Sequence, residues 1–368
     1  MSSFKSLSEH VRKKPGMYIG GTDERALNNC IWELLVNSIE EHLAGRGSII
    51  TVTIHSDGSL SVQDNGGGIS VEVDPEHNLP WLEAALTDFT NRPPSSKASY
   101  VLGLRGVGVK CVNAVSEWMQ VNTVWQDVKY EIGFARGLTV EPLRKIHDSG
   151  VAPGTTVRFK PDREIFRTVD FDRHLLAKRL DWLAILHPAL EFWLVDERPN
   201  SANRPMAILY HYPKGIADFL KVTFHGDQWY GYGTGPFAFS GNIDGMKIAL
   251  GFQLAQTANS LVLSFVNSSR TELEGTHVDG FLQGLADGLS AVAGSPVPFT
   301  PHDVRRGICA VVAIWHAEPR YGGATKDELI NPEVGLALQK FTRKNFSQWA
   351  ADHEREAKWL AESVDERR

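Results

Sequence analysis

The chain has 368 residues, of which 42% are hydrophobic and 22% are charged, and its formal net charge is -6 at pH 7. This composition is typical of globular proteins, and the length allows two or three separate cores. Acidic and basic residues are interspersed, which argues against a dedicated nucleic-acid binder. No apolar run reaches the roughly 18 residues of a membrane span, and the N-terminus lacks the apolar centre of a signal peptide. We therefore expect a cytoplasmic protein with no membrane partner.

The first strong pattern in chain order is an amphipathic helix over residues 24–43, which "AGRG" ends. Two alternating runs joined by "SDGS" follow and predict a β-hairpin. Its second strand ends at Asp64, directly before Asn65 and three glycines. Taken alone, "DNGGG" favours a simple turn. The alternative is a strand end at which glycines let the backbone approach a ligand while Asp64 accepts a hydrogen bond from it.

Glu33 and Asn37 lie four residues apart on the predicted helix and share one face with Glu40. The simpler interpretation of these three residues is a solvated helix face. The functional interpretation is a carboxylate that takes a proton from water, next to an amide oxygen that binds Mg²⁺. The pair alone does not decide between them.

A polar segment, "TNRPPSSKAS", leads into "GLRGVG" (Gly103 to Gly108), after which a helix begins. Unobstructed N–H groups at a helix start suit phosphate, although the glycine order fits neither a Walker A sequence nor the dinucleotide fingerprint. Strands and a helix continue to about residue 198, where the polar linker "ERPNSANRP" precedes a second domain. Lys326 lies in a glycine-containing loop of that domain and, taken alone, is a solvated lysine.

The order of these motifs resembles the GHKL ATPases, which include DNA gyrase, Hsp90, histidine kinases and MutL. That order is E-x-x-x-N on the first helix, D-x-G-x-G after a hairpin, G-x-x-G-x-G before a helix, and "GT" before a strand. The strongest resemblance is to the ATPase half of gyrase B and its topoisomerase IV counterpart. It extends over nearly the whole chain through "VRKKPGMYIG", "GTTVRFKPD", "FVNSSRTELEGTHVDGF" and "DVRRGICAVVAIWHAEPRYGGATK".

The resemblance implies an α+β fold: a GHKL (Bergerat) ATPase sandwich of a mixed sheet and helices, then a transducer domain of the ribosomal S5 type and a long C-terminal helix. We expect these parts at residues 1–200, 201–334 and 335–368. The implied cofactors are ATP and Mg²⁺, and the implied assembly is a homodimer that closes when ATP binds.

The resemblance also implies roles for individual residues. Glu33 resembles the general base that activates water, Asn37 the Mg²⁺ ligand, and Lys326 the transducer lysine that reaches the γ-phosphate. A positioned base, a metal and a cation are what phosphoryl transfer to water requires. The remaining positions implied to bind the nucleotide are Glu40, Asp64, Gly66, Gly68, Ile69, the lid residues Gly103, Leu104, Arg105, Gly106, Val107 and Gly108, and Thr155.

Five positions depart from the family pattern. Asn29 replaces a histidine four residues before the general base, and Val36 replaces an aspartate before the magnesium ligand. Gly67 replaces an arginine that packs over the nucleotide pocket and contacts coumarin inhibitors. Arg105 replaces a lid histidine, and Ala324 replaces a glutamine two residues before Lys326. We also expect the segment before Pro15 to be too short for the family's full dimer-wrapping arm.

The sequence contains neither the E-G-D-S-A-like motif nor the D-x-D pair of a TOPRIM domain, so we expect no DNA cleavage by this chain alone. A stand-alone paralogue is favoured over an excised fragment. Its function is then either ATP hydrolysis by a nucleotide-gated homodimer, or nucleotide binding without hydrolysis in a protein that regulates or protects a topoisomerase subunit. A separately encoded TOPRIM protein is a possible partner. DNA capture by the dimer would be a third function, which the acidic charge disfavours.

Overall fold

The computed structural model describes residues 2–75, 78–89, 102, 106–147, 152–199, 204–223, 236–254, 260–294, 296–323 and 326–368. The chain divides into two compact units, Met1–His211 and Tyr212–Arg368. Each unit has its own mixed sheet and its own helices. Within the described ranges, no helix combines the length and apolarity needed to cross a lipid bilayer.

The first unit is built on one eight-stranded mixed sheet with the strand order β10-β9-β1-β2-β8-β5-β6-β7. A separate two-stranded ladder joins β3 to β4. The strands are β1 (Ile49–Ile54), β2 (Leu60–Asp64), β3 (Val73–Asp74), β4 (Leu79–Pro80), β5 (Ser116–Trp125), β6 (Val128–Ala135), β7 (Leu138–His147), β8 (Gly154–Pro161), β9 (Glu191–Asp196) and β10 (Met206–Tyr210). The helices are α1 (Ser2–Lys13), α2 (Gly16–Ile19), α3 (Glu24–Leu43), α4 (Trp81–Thr87), α5 (Gly108–Ala114) and α6 (Arg173–Leu186).

The predicted hairpin forms between β1 and β2, with Ile54 opposite Leu60 and Ile50 opposite Asp64. Alternate residues of β1 are buried, as expected for a strand with one face on the core. β2 also pairs with β8, which is distant in sequence, and this register places Asp64 opposite Thr155. The sheet therefore brings the end of the hairpin next to the "GTT" segment.

α3 is the predicted amphipathic helix, and it begins where Asp23 accepts a hydrogen bond from the backbone N–H of Ala26. Ten of its twenty residues are buried, and its neighbours include β2 and α5. Most buried side chains are apolar, so burial of this face supplies the main stabilisation of the helix. Glu33 and Ser38 are the two polar exceptions.

The second unit has a five-stranded sheet with the order β11-β12-β15-β13-β14. All eight residues of the central strand β15 are buried. In chain order the elements are α7 (Ile216–Thr223), β11 (Phe237–Ile243), β12 (Met246–Leu254), β13 (Leu261–Val266), β14 (Ser269–Arg270), α8 (Thr276–Ala293), α9 (Pro301–Arg305), β15 (Ile308–Trp315), α10 (Pro332–Asp352) and α11 (Glu354–Asp365).

α8 and α10 pack closely because glycines line their contact. A Cβ at Gly280 or Gly284 would overlap the backbone of Gly335 or Gln339 on α10, and a Cβ at Gly288 would lie 2.6 Å from the ring of Phe346. The N-terminus of α8 also contacts the loop after Lys326, since the N–H of Thr276 donates to the carbonyl of Leu329 (2.9 Å).

The long C-terminal helix is present but interrupted. It comprises α10 and α11, with His353 between them in a non-helical conformation (φ -135°, ψ 55°). The His353 ring stacks on Trp349, with 4.8 Å between the ring centroids, and α11 packs against α8. The stacked ring and the contact with α8 hold α11 against the rest of the unit.

Candidate functional site

Asp64 lies at the end of β2 with its carboxylate held by three donors. Oδ1 accepts from the backbone N–H groups of Gly66 (2.9 Å) and Thr155 (3.3 Å), and Oδ2 accepts from the Ser38 hydroxyl (2.8 Å). Burial raises the pKa of Asp64, and the charge of Glu41 adds to the rise, while the three hydrogen bonds oppose it. The carboxylate therefore has a fixed orientation, suited to a ligand that donates a hydrogen bond.

The glycine turn after Asp64 leaves no room for side chains where it approaches the sheet. Gly68 has a left-handed φ of 75°, and a Cβ there would overlap the carbonyl oxygen of Val124. The next N–H, that of Ile69, donates to Oγ1 of Thr123 (2.8 Å), which lies 3.2 Å from Oγ1 of Thr155. Gly66, Gly68, Ile69 and Thr155 are thus brought together around Asp64.

Glu33 is a buried carboxylate in the middle of α3, with 9% of its surface exposed. It faces the start of α5, where a Cβ at Gly108 would lie 2.5 Å from Cδ of Glu33 and would overlap Oε2. The charge of Glu33 helps to raise the pKa of Glu40, although burial of Glu40 is the larger cause. The predicted base and the end of the predicted lid are therefore in contact.

Asn37 is the exposed member of the predicted pair, one turn after Glu33 on α3. Among the described residues, no group of three or more His, Cys, Asp or Glu side chains could hold a metal. The amide oxygen of Asn37 is a hard oxygen ligand, and Mg²⁺ at nucleotide sites takes most of its remaining ligands from phosphate and water. The donor set on this face therefore fits magnesium bound together with a nucleotide.

The predicted lid is described only in part. Gly103, Leu104 and Arg105 lie outside the described residues, whereas Gly106, Val107 and Gly108 lead into α5. Gly106 has a left-handed φ of 71°, and its carbonyl accepts a hydrogen bond from Nζ of Lys110 (2.7 Å). Lys110 is 1% exposed, and burial lowers its pKa to about 8 although the charge of Asp88 opposes the shift.

Lys326 belongs to the second unit, and its backbone is left-handed with a φ of 59°. Its Nζ lies over the ring of Tyr321, 5.9 Å from the centroid. Burial raises the pKa of Tyr321 to about 12, so the ring is neutral at physiological pH. Ala324, two residues earlier, lies outside the described residues.

Two of the departures from the family pattern, Asn29 and Val36, lie on α3, the helix that carries Glu33. The Asn29 side chain donates to the carbonyl of Ile19 (3.1 Å), which ties α3 to the end of α2. Val36 is a buried core residue of α3. Both positions therefore contribute to packing and chain geometry around the helix that carries Glu33.

The sequence patterns missed several residues that shape the site. The Ser38 hydroxyl donates to Asp64, and the Thr123 hydroxyl accepts from the N–H of Ile69. The carboxylate of Glu41 accepts from the N–H of Gly67 (3.0 Å). Ser38 could have been found as a polar residue one position after Asn37 in an otherwise apolar stripe. The contact of Thr123 depends on the pairing of β5 with β8, which no local pattern indicates.

Comparisons with known proteins agree with this geometry. Residues 22–165 match the family model of the histidine kinase-, DNA gyrase B-, and HSP90-like ATPase, and residues 215–368 match the model of DNA gyrase B. The B subunit of the type 2 topoisomerase of Aquifex aeolicus is 37% identical over 91% of this chain and 42% of its own length. The B subunit of the DNA gyrase of Archaeoglobus fulgidus is 33% identical over 96% of this chain and 56% of its own length. The chain thus spans about half the length of these curated relatives.

A solved structure covers nearly the same extent as this chain. The 43K ATPase domain of Thermus thermophilus gyrase B, in complex with an aminocoumarin, is similar with a TM-score of 0.84 and 31% identity, over 97% of this chain and 93% of that one. The B-subunit of the Myxococcus xanthus DNA gyrase gives a TM-score of 0.81 at 25% identity, over 99% and 100%. These matches confirm the expected ATPase fold with a transducer-like second unit. The chain belongs to the gyrase B branch of the ATPase family that also includes histidine kinases and HSP90.

Proposed function

We propose that the first unit binds ATP with Mg²⁺ and hydrolyses it, with Glu33 as the general base. One observation carries this proposal: a single helix, α3, supports both ends of the site. Ser38 of α3 orients the carboxylate of Asp64, and Glu33, five residues earlier, contacts the end of the lid at Gly108. The distance between a purine-binding end and a hydrolytic end is then set by a rigid element.

The adenine end is Asp64 with its glycine turn. An ionised carboxylate that already accepts from Gly66, Thr155 and Ser38 has further acceptor capacity for the exocyclic amine of adenine. Gly66 and Gly68 keep side chains away from the flat base. Asp64 thus supplies recognition, and the turn supplies the surface against which the base lies.

The hydrolytic end is Glu33, assisted by Asn37. The carboxylate of Glu33, buried against Gly108 and shielded from bulk solvent, would accept a proton from the attacking water. The amide oxygen of Asn37 would hold Mg²⁺, which neutralises phosphate charge when bound. Gly106, Val107 and Gly108 would offer backbone N–H groups to the phosphates.

The second unit is proposed to report the nucleotide through Lys326. A lysine is a mobile point charge suited to a γ-phosphate, and it would leave Tyr321 to reach one. ATP would then favour a closed homodimer, and hydrolysis would release it. A topoisomerase subunit or a separately encoded TOPRIM protein is the proposed partner.

The decisive experiment measures phosphate release and ATP binding on the same samples. Glu33→Ala should abolish Mg²⁺-dependent phosphate release and retain ATP binding, and Glu33→Gln should do the same with less disturbance of the packing. Glu24→Ala, in the first turn of the same helix, is the matched control and should keep full activity. Equal turnover in wild type and Glu33→Ala would refute the assignment of the base.

A nucleotide-binding protein without hydrolysis, acting on a topoisomerase subunit, is the second candidate. Its supporting observation is that Asn29, at the position where the family pattern has a histidine, uses its side chain on the Ile19 carbonyl. Tight binding of ATP by the wild type with no phosphate release would favour this function. Co-purification with a gyrase subunit would strengthen it.

A further inference from the structure

Gly67, the middle glycine of the turn, is not required by the backbone. Its φ lies outside the left-handed region, so any residue could adopt this conformation. A Cβ at Gly67 would nevertheless lie 2.6 Å from Cδ and 2.9 Å from Nε of Arg46. The side chain of Arg46 therefore fills the space that a side chain at position 67 would take.

Arg46 is held in this place by a bidentate ion pair. Its Nε donates to Oε2 of Glu41 (2.7 Å) and its Nη2 donates to Oε1 (2.7 Å). Oε2 also accepts the N–H of Gly67 (3.0 Å), so one carboxylate joins the arginine to the glycine turn. Burial of Glu41 tends to raise its pKa, but the hydrogen bonds from Arg46 and Gly67 outweigh this and lower it. The pair stays ionised at neutral pH.

The loop that carries Arg46 is itself fixed to the turn. Oδ1 of Asn65 accepts from the N–H groups of Ser48 (2.7 Å) and Ile49 (2.8 Å). A Cβ at Gly47 would lie 3.0 Å from that same oxygen. Arg46 thus lies on a loop that is hydrogen-bonded to Asn65, the residue after Asp64, and 52% of its side chain remains exposed.

We propose that Arg46 is a binding residue at the rim of the adenine pocket, and that Gly67 is present because it makes room for Arg46. This inference rests on the proposed ATP site at Asp64. Glu41 binds one edge of the guanidinium plane, which leaves its faces for the purine base. The cation missing at position 67 is thereby supplied by another loop.

The first test compares ATP binding and turnover of the full chain with those of Arg46→Ala. Loss of a stacking cation should raise the Kd and KM for ATP roughly 3- to 30-fold and leave kcat unchanged. Arg144→Ala is the matched control, because Arg144 is also an exposed arginine paired with a glutamate, Glu131 (2.5 Å). It should bind ATP like the wild type, and thermal unfolding should show that both variants are folded.

The second test moves the arginine from the loop at position 46 to the glycine turn at position 67. In Arg46→Ala/Gly67→Arg the new side chain can enter the vacated space beside Glu41, so ATP affinity should recover to within about threefold of the wild type. Gly67→Arg alone should not gain affinity, because Arg46 already fills that space. Unchanged ATP affinity in Arg46→Ala, with a wild type that binds ATP, overturns the role of Arg46 only. A wild type that binds no ATP overturns the proposed function as well.

Discussion

The carboxylate of Glu33 lies in the space that a side chain at Gly108 would need. A Cβ at Gly108 would be 2.5 Å from Cδ of Glu33, and the φ of Gly108 lies outside the left-handed region. Glycine is therefore required here by the approach of a carboxylate and not by the backbone conformation. α3 and the start of α5 fit together in this way only while position 108 has no side chain.

Gly108→Ala should consequently displace the carboxylate of Glu33 and lower kcat by about 10²-fold, because a shift of about 1 Å in a reacting group costs that much. Steady-state phosphate release measures the change. Gly16→Ala is a matched control, since Gly16 has nothing within 4 Å of its Cβ position and no left-handed φ. Full activity of Gly108→Ala would show that Glu33 is not positioned by this contact.

ATP affinity should depend on pH through Asp64. Burial raises the pKa of this carboxyl, so protonation removes the ionised acceptor at a higher pH than for an ordinary aspartate near 3.9. ATP affinity should therefore fall as the pH is lowered toward that raised pKa. The pH dependence of folding stability has the opposite sign. A carboxyl whose pKa is raised in the folded state stabilises the fold at low pH, and this stabilisation is lost as the pH rises through the folded-state pKa.

Ser38→Ala tests Asp64 by removing one of its hydrogen bonds. The hydroxyl donates to the ionised form of Asp64, so its removal should raise the pKa further and move the acid loss of ATP affinity to higher pH. Ser61→Ala is the control, as the hydroxyl of this β2 residue contacts Nε2 of His55 (2.9 Å). An identical pH profile of calorimetric ATP binding in wild type and Ser38→Ala would contradict the prediction.

Lys326→Met should lower kcat by about 10²- to 10³-fold with little effect on KM, as expected when a cation that stabilises transition-state charge is removed. Phosphate release over a range of ATP concentrations separates the two constants. Lys340→Met provides the comparison, because Lys340 is an exposed lysine of α10 in the same unit. Retention of wild-type kcat by Lys326→Met would remove this lysine from the mechanism.

Acid should destabilise the second unit through His277. This imidazole is fully buried, and burial lowers its pKa to about 3 from an ordinary value near 6.5. Its contribution to stability is complete above pH 6.5 and is lost as the pH falls toward 3, at up to about 1.4 kcal/mol per pH unit. The free energy of unfolding, measured with urea at pH 7 and pH 5, should show this pH dependence in the wild type and a smaller one in His277→Leu. An equal pH dependence of the free energy of unfolding in both proteins would show that His277 is not the source of the acid sensitivity.

Local patterns predicted much of the first unit because its motifs are short and sequential. The hairpin placed Asp64 at a strand end, and helical spacing placed Glu33 and Asn37 on one face of α3. The contact of Asp64 with Thr155 depends on pairing between strands about ninety residues apart, so only the family resemblance anticipated it. Non-local pairing is what single-sequence patterns describe least.

The Arg46 contact shows why part of the site could not be predicted. Arg46 and Glu41 lie five residues apart near a helix end, where charged residues usually face solvent. Their contact with Gly67 becomes visible only when the loop and the turn are placed side by side. The break at His353 was likewise hidden, because the charged, periodic sequence on both sides favours one continuous helix.

The glycine-lined contact of α8 with α10 has a mechanical consequence. The segment after Lys326 is hydrogen-bonded to the start of α8, since Leu329 bonds both Glu274 and Thr276. At these glycines the backbone of α8 lies directly against α10, so no compressible side chains separate the two helices. The helices therefore cannot slide past one another gradually. Within this unit, a displacement of the loop that carries Lys326 would therefore move α8 and α10 together as one rigid body.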